Sequence, residues 1–308
     1  LLLVRVYLST AVDADYSGDQ QLVSMRWMDR PVKAKQYNNE ELPPVESRVH
    51  EAGRLAIIEE RASLRVAYLK DSLPFAFRNE KGEVVGFDVE LAHHLATDLD
   101  VKLELVRVEH EDIDKLFASG QIDIVMSGLA VTPTRARRWA FGTAPIDKPL
   151  GFLVPDHQRK QFADFNEVHS RKGLTLGVVQ SDPAFSRWVQ RGLPLAKLVD
   201  VTSPRAFLRG DLPDIDAVVY SAEGGSAWTL IYPDFSIVVP FNMQVRVPMG
   251  YPLPRGDEEW ARYVSRWVEM NVKNGLVDRL FTHWIGGGGA KPKEPRWSVI
   301  RNVLHWVE

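Results

Sequence analysis

Ile122-Asp123-Ile124-Val125-Met126-Ser127-Gly128-Leu129-Ala130-Val131-Thr132-Pro133-Thr134-Arg135 decides the fold. The first ten residues read as a buried strand leaving its sheet, and the next four open a helix. Thr132 suits the N-cap and Pro133 the first helical position. Free backbone N–H groups and the positive dipole end then lie beside a guanidinium that can grip a carboxylate with two hydrogen bonds. The arrangement predicts a site for a small anion.

The grammar around this stretch occurs twice. Leu116-Phe117-Ala118-Ser119-Gly120 is a helix ending with a glycine stop, followed by the strand. Phe207-Leu208-Arg209-Gly210 and then Asp214-Ile215-Asp216-Ala217-Val218-Val219 repeat it. Glycine just past a helix supplies a left-handed cap, and β-branched runs bounded by turns read as central strands. Upstream, Leu64–Tyr68 runs into Ser72-Leu73-Pro74-Phe75-Ala76-Phe77, as Leu174–Val179 runs into Ser181-Asp182-Pro183-Ala184-Phe185. Two α/β lobes of similar plan follow.

Two apolar segments, Pro149–Pro155 and Val245–Leu253, are candidate crossings between the lobes, so the far end of the chain completes the first lobe. A cleft between lobes joined by two strands opens and closes by hinging. A long amphipathic helix is predicted from near Asp257, with Trp260, Tyr263, Val264, Trp267, Val268 and Met270 on its apolar side. Another helix covers Val45 to Ser63, with Val49, Ala52 or Gly53, Ala56 and Ile57 at three- and four-residue steps. The expected organisation is a leader with connecting helix over 1–63, lobe 1 over 64–150 plus 250–285, lobe 2 over 151–249, and a glycine linker with a C-terminal helix over 286–308. Trp297, Ile300, Leu304 and Trp306 set the helical spacing of that tail.

Composition narrows the function. Of 308 residues, 45% are hydrophobic and 26% charged, which permits a large core and argues against global disorder. Net charge is -3, from 41 acidic and 38 basic side chains, which argues against a general nucleic-acid or anionic-membrane binder. Cysteine is absent, so disulfides, thiolate metal sites and cysteine catalysis are excluded. The opening Leu1-Leu2-Leu3-Val4 lacks a methionine and reads as part of a mature or excised segment, a short buried strand or else the trailing edge of a membrane helix.

Gly82-Glu83-Val84-Val85-Gly86-Phe87-Asp88-Val89-Glu90-Leu91-Ala92 resembles the G-x-x-x-G-F-D-x-E/D-L-A segment of periplasmic solute-binding proteins of the polar-amino-acid type, family 3. Gly120-x-Ile122-Asp123, Thr132-x-x-Arg135, Phe141-x-x-x-Pro145-Ile146, Gly177-Val178-x-Gln180-Ser181, Asp216-Ala217 and Asn274-Gly275-Leu276 extend the match in the family's order, from roughly Leu64 to Ile285. The resemblance implies a two-lobed, type 2 venus-flytrap fold and an extracytoplasmic, non-enzymatic binder of an amino acid or related carboxylate, without a cofactor. In it, Arg135 matches the carboxylate-binding arginine. Gly128 and Ala130 match positions that touch the same carboxylate, here through backbone only. Gln180 and Ser181 match the loop that closes on the ligand, and Phe75 with Leu73 would line the side-chain pocket. Asp88 would cap its helix.

The chain departs from that pattern at Ser221, which stands where amino-acid binders often carry an aspartate for the ligand's ammonium. Glu223, two residues on, is a candidate substitute, and a dicarboxylate or other organic anion is an alternative ligand. A second resemblance is to solute-binding domains appended to dicarboxylate/amino-acid:cation symporters and to sensor kinases, which implies a membrane transporter or sensor as partner. An enzymatic alternative resembles cyclohexadienyl dehydratases on the same scaffold, with Glu223 as the acid. On one helix Glu90 meets His93 or His94, but no third metal ligand is visible, so this reads as a solvated helix face; no metal site is expected. The glycines at 286–289 lack the lysine of a phosphate loop and read as a linker.

Overall fold

The computed structural model describes residues 22–38, 41–179, 183–243 and 245–289. The strands of the first lobe are β1 (Ala34–Tyr37), β2 (Ser63–Leu69), β3 (Phe77–Arg78), β4 (Val84–Val85), β5 (Lys102–Val108), β6 (Ile124–Val125) and β7 (Ala140–Phe141). A parallel sheet runs in the order β1-β5-β2-β6. Parallel neighbours need helical crossovers, and Phe87–Asp98 and Ile113–Ala118 supply them. All seven residues of β2 are buried, as a strand covered on both faces requires. The leader contributes the edge strand β1; the short strand or membrane-helix edge expected at Leu1–Val4 and the helix expected after residue 289 lie outside the described residues.

The second lobe adds β8 (Asp147–Pro155), β9 (Thr175–Val179), β10 (Lys197–Val201), β11 (Ala217–Ser221), β12 (Phe235–Val238) and β13 (Arg246–Pro248), in the order β10-β9-β11-β8-β12, with β13 also on β8. β8 is a crossing strand. Its first half pairs antiparallel with β13 through Lys148↔Val247, and its second half pairs with β11 and β12. The division expected at 150/151 therefore falls inside a strand that serves both lobes. After β13 the chain returns to the first lobe, where Met249 bridges Ala130 and β14 (Pro252–Leu253) pairs with β7. The fold is mixed α/β and two-lobed, with two strands between the lobes.

The long helix Glu258–Lys273 buries Trp260, Val264, Trp267 and Val268 as its spacing predicts. Met270 departs from the stripe and is 58% exposed; Asn271 is buried instead and donates to the Trp267 carbonyl at 2.9 Å. Trp260 also donates its indole N–H to the Asp123 carbonyl at 3.0 Å, so truncating it to alanine would cost about 3–5 kcal/mol. The single helix expected over Val45–Ser63 is interrupted at Gly53, whose backbone is extended. A 3-10 turn covers Ser47–His50 and the helix proper is Arg54–Arg61, burying Arg54, Ile57 and Ile58 while Ala56 faces solvent. Gly286, Gly288 and Gly289 donate back to carbonyls of the helix Leu276–Trp284, so the glycine run ends that helix.

Candidate functional site

A cavity of about 150 Å³ lies between the lobes, small on the scale of drug-sized pockets. Its first wall is the loop Leu69–Leu73 with Phe75, Ser127–Ala130, Thr132 and Arg135. Lys148, Leu150 and Val247 come from the crossing strands. Phe185, Ser203, Tyr220 and Ser221 are among those facing them from the second lobe. Arg135, Gly128, Ala130, Phe75, Leu73 and Ser221 are thus brought together; Gln180 and Ser181 lie outside the described residues.

Thr132 is the N-cap, accepting the Arg135 N–H on its hydroxyl at 3.2 Å, and Pro133 opens the helix. That helix, Pro133–Arg138, is only six residues long, so its summed dipole is small. The positive field in the cleft comes from the buried guanidinium itself. Its Nη1 donates to the Ala130 carbonyl at 3.0 Å, which fixes the plane of the fork.

Gly128 is held from three sides. Its φ of +64° is left-handed, and a Cβ there would sit 2.4 Å from the Phe75 ring. Its N–H donates to Asp88 at 2.5 Å, and its carbonyl accepts from the Lys148 ammonium. Both backbone groups of Gly128, the part of it that the resemblance sets against a ligand carboxylate, are therefore already engaged, the N–H by Asp88 and the carbonyl by Lys148. Asp88 does not cap its helix; Gly86 occupies the N-cap position, and Asp88 is fully buried, also accepting from the Tyr251 hydroxyl at 2.8 Å. Burial pushes the Asp88 carboxyl up to about 7, against the pull of Tyr251, the Gly128 N–H and Lys148.

Among the lining residues that sequence reading did not single out, Lys148 is both buried and charged. It sits on β8, two residues before the buried Leu150, and pairs with Val247 of β13. Its ammonium lies 5.1 Å from the Phe75 ring centre. Burial pushes it down to about 8; Glu223 and Asp88 pull upward and Arg135 pushes further down.

In the second lobe, Ser221 ends β11 and caps the helix Ala222–Ile231, accepting the Gly224 N–H at 3.3 Å. Glu223, in the first turn, is buried but not among the cavity's lining residues, and its Oε2 has no hydrogen-bond partner. Burial raises its carboxyl above the ordinary value, opposed by Lys148 and Arg246. At the cavity rim Arg205 of the second lobe grips Asp71 of the first with two hydrogen bonds, of 3.1 and 2.6 Å. That pair joins the walls in the form described.

The face of Glu90 and His93 is buried rather than solvated, because the leader covers it. Glu90 accepts from the Asp29 N–H at 2.7 Å and the Trp284 indole at 2.6 Å, and Trp27 packs edge-on against His93 at 4.6 Å. Asp29 also supplies the third potential ligand that the sequence did not show, within 4.8 Å of Glu90 and His94. Both Glu90 oxygens already accept N–H groups, and His94 lies 3.2 Å from Asp29, so the group's evident work is to fasten the leader to the lobe.

The chain belongs to the bacterial extracellular solute-binding proteins, family 3, whose pattern it matches over residues 64–287. Among its relatives, a cyclohexadienyl dehydratase of Pseudomonas aeruginosa is 27% identical over 75% of this chain and 86% of its own length. An L-cystine-binding protein of Escherichia coli is 23% identical over 78% of this chain and 88% of its own. A solved ancestral amino-acid-binding protein, described as a precursor of cyclohexadienyl dehydratase, superposes with a TM-score of 0.64 at 26% identity, covering 76% of this chain and all of its own. Among the described residues, no helix is long and apolar enough to cross a membrane.

Proposed function

We propose that this chain is an extracytoplasmic binding module for a small carboxylate-bearing solute, an amino acid or related organic anion. The observation that carries the reading is the buried Arg135 guanidinium on the wall of a small cavity between two hinged lobes. A ligand carboxylate accepts two hydrogen bonds from that fork, and Leu73 and Phe75 pack on its carbon chain. Ligand contacts made by both walls favour the closed form, and closure is the signal that a membrane transporter or a sensor reads, whether on a separate chain or on the same polypeptide. The absence of an aspartate at Ser221 favours organic anions alongside amino acids.

A thermal-shift screen over amino acids, dicarboxylates and monocarboxylates tests this. A ligand that binds only the folded state raises the melting temperature with concentration. Carboxylates alone are expected to do so; a hit set without carboxylates contradicts the reading.

Glu223 favours one other reading, a dehydratase acting on a cyclohexadienyl carboxylate. Burial raises the proton affinity of this carboxyl, which could protonate a leaving hydroxyl that departs as water while the ring carboxylate leaves as carbon dioxide and its bonding pair aromatises the ring. Its position off the cavity lining argues for binding instead. Incubation with prephenate or arogenate decides between them: the binding account predicts no product.

A further inference from the structure

Lys148 is 6% exposed, lies on the cavity wall, and carries a charge whose surroundings leave it under-compensated. An ammonium has three N–H donors. One is used on the Gly128 carbonyl, and the face of Phe75 covers another side without offering a lone pair. Among the described residues no carboxylate lies within 4.0 Å of Nζ. Two acids act on it at longer range: Asp88 already accepts from Gly128 and Tyr251, and Glu223, whose Oε2 has no hydrogen-bond partner, is not among the cavity's lining residues and lies more than 4.0 Å away.

A buried charge is tolerated when it is paired and hydrogen-bonded. Its neighbours among the described residues leave the cavity side of this one to whatever occupies the cleft. Arg135 and Lys148 also hold the same short stretch, through the carbonyls of residues 130 and 128. Two residues of chain span at most about 7 Å, so the two cations are anchored close together. A compact ligand with an anionic group at each end fits that arrangement.

We propose that the cleft selects solutes with two acidic groups, one carboxylate held by Arg135 and the second anionic group held by Lys148. This rests on the carboxylate-binding reading above and narrows it to short dicarboxylates and acidic amino acids. Neutral amino acids place an uncharged group against Lys148 and leave its cost unrelieved.

The test is calorimetric titration of matched pairs that differ by one charge: succinate against succinamate, and L-glutamate against L-glutamine. The parent protein is expected to bind the diacid of at least one pair at least tenfold more tightly than its monoamide. Lys148→Met should abolish that preference by weakening the diacid at least tenfold more than the monoamide; Lys148→Gln serves as a second variant, each checked for a cooperative melt. Equal affinity for diacid and monoamide in the parent overturns the proposal, as does a preference that survives in both variants. Those results leave the carboxylate reading standing if Arg135→Gln still abolishes binding. Binding of neither member of any pair, with a hit among solutes lacking a carboxylate, overturns the carboxylate reading and this proposal with it.

Discussion

Two buried charge clusters in this molecule solve the same physical problem in different ways. Asp123, at one end of the first lobe's sheet, has partners on both oxygens: Arg54 at 3.5 Å on one, and the Arg65 N–H at 2.8 Å with Arg61 on the other. Lys148, at the cleft, has one carbonyl and an aromatic face. The first cluster pairs its charges with one another, although Arg61 Nη1 is left without a hydrogen bond, and it ties the Arg54–Arg61 helix to the strands. The second, among the described residues, has no carboxylate within 4.0 Å and faces a cavity. A buried ion whose partners are all internal is architecture, whereas one that opens onto a cavity with partners missing marks where a ligand belongs.

The largest test of that contrast is Asp123→Ala. It strands Arg54 and Arg61 without their counter-ion and should destabilise the fold by about 3–5 kcal/mol in urea unfolding. A loss under 1 kcal/mol would erase the distinction between the clusters. Lys148 predicts the opposite sign. An unfolded lysine keeps the ordinary value of 10.5, while in the fold burial holds it near 8, with Glu223, Asp88 and Arg135 as the charged neighbours. The unfolded chain therefore binds more protons between these values, and stability should rise by roughly 1–3 kcal/mol as pH climbs from 8 to 10.5. Lys148→Met should flatten that rise and leave stability at neutral pH unchanged or improved. A parent protein with no rise in that window, or an unstable Lys148→Met, would count against an under-compensated lysine.

The smallest effect concerns the pair across the cleft. Asp71 and Arg205 are partly exposed, so their mutual attraction is worth only about 1 kcal/mol. Asp71→Asn should leave the melting temperature nearly unchanged while increasing the radius of gyration of the ligand-free protein in small-angle scattering, as the open form gains population. An unchanged radius would show that the pair does not hold the lobes.

The repeated strand–helix grammar, the Thr132-Pro133 helix start, the two crossings and the Trp260–Trp267 stripe were legible because each is a local pattern with a local cause. Arg135 was legible for the same reason. Asp88 was misread: its place in the first turn suggests a cap, but Gly86 is the cap and Asp88 is claimed by Gly128 and Tyr251, forty or more residues away. The Glu90–His93 face looked solvated because a leader with no strong periodicity packs over it. Lys148 was missed because a lysine near a strand end reads as surface charge, and only the pairing of β8 with β13 turns it inward. Long-range contacts decide what a polar residue does, and they leave little trace in local sequence.

The central claim is that a carboxylate docks on Arg135, and calorimetric titration of the strongest-binding acid into the parent protein and into Arg135→Gln tests it most directly. Removing one partner of a buried, hydrogen-bonded charge pair costs about 2–5 kcal/mol, so affinity should fall at least thirtyfold while the variant melts cooperatively. Undiminished affinity in Arg135→Gln would contradict the account.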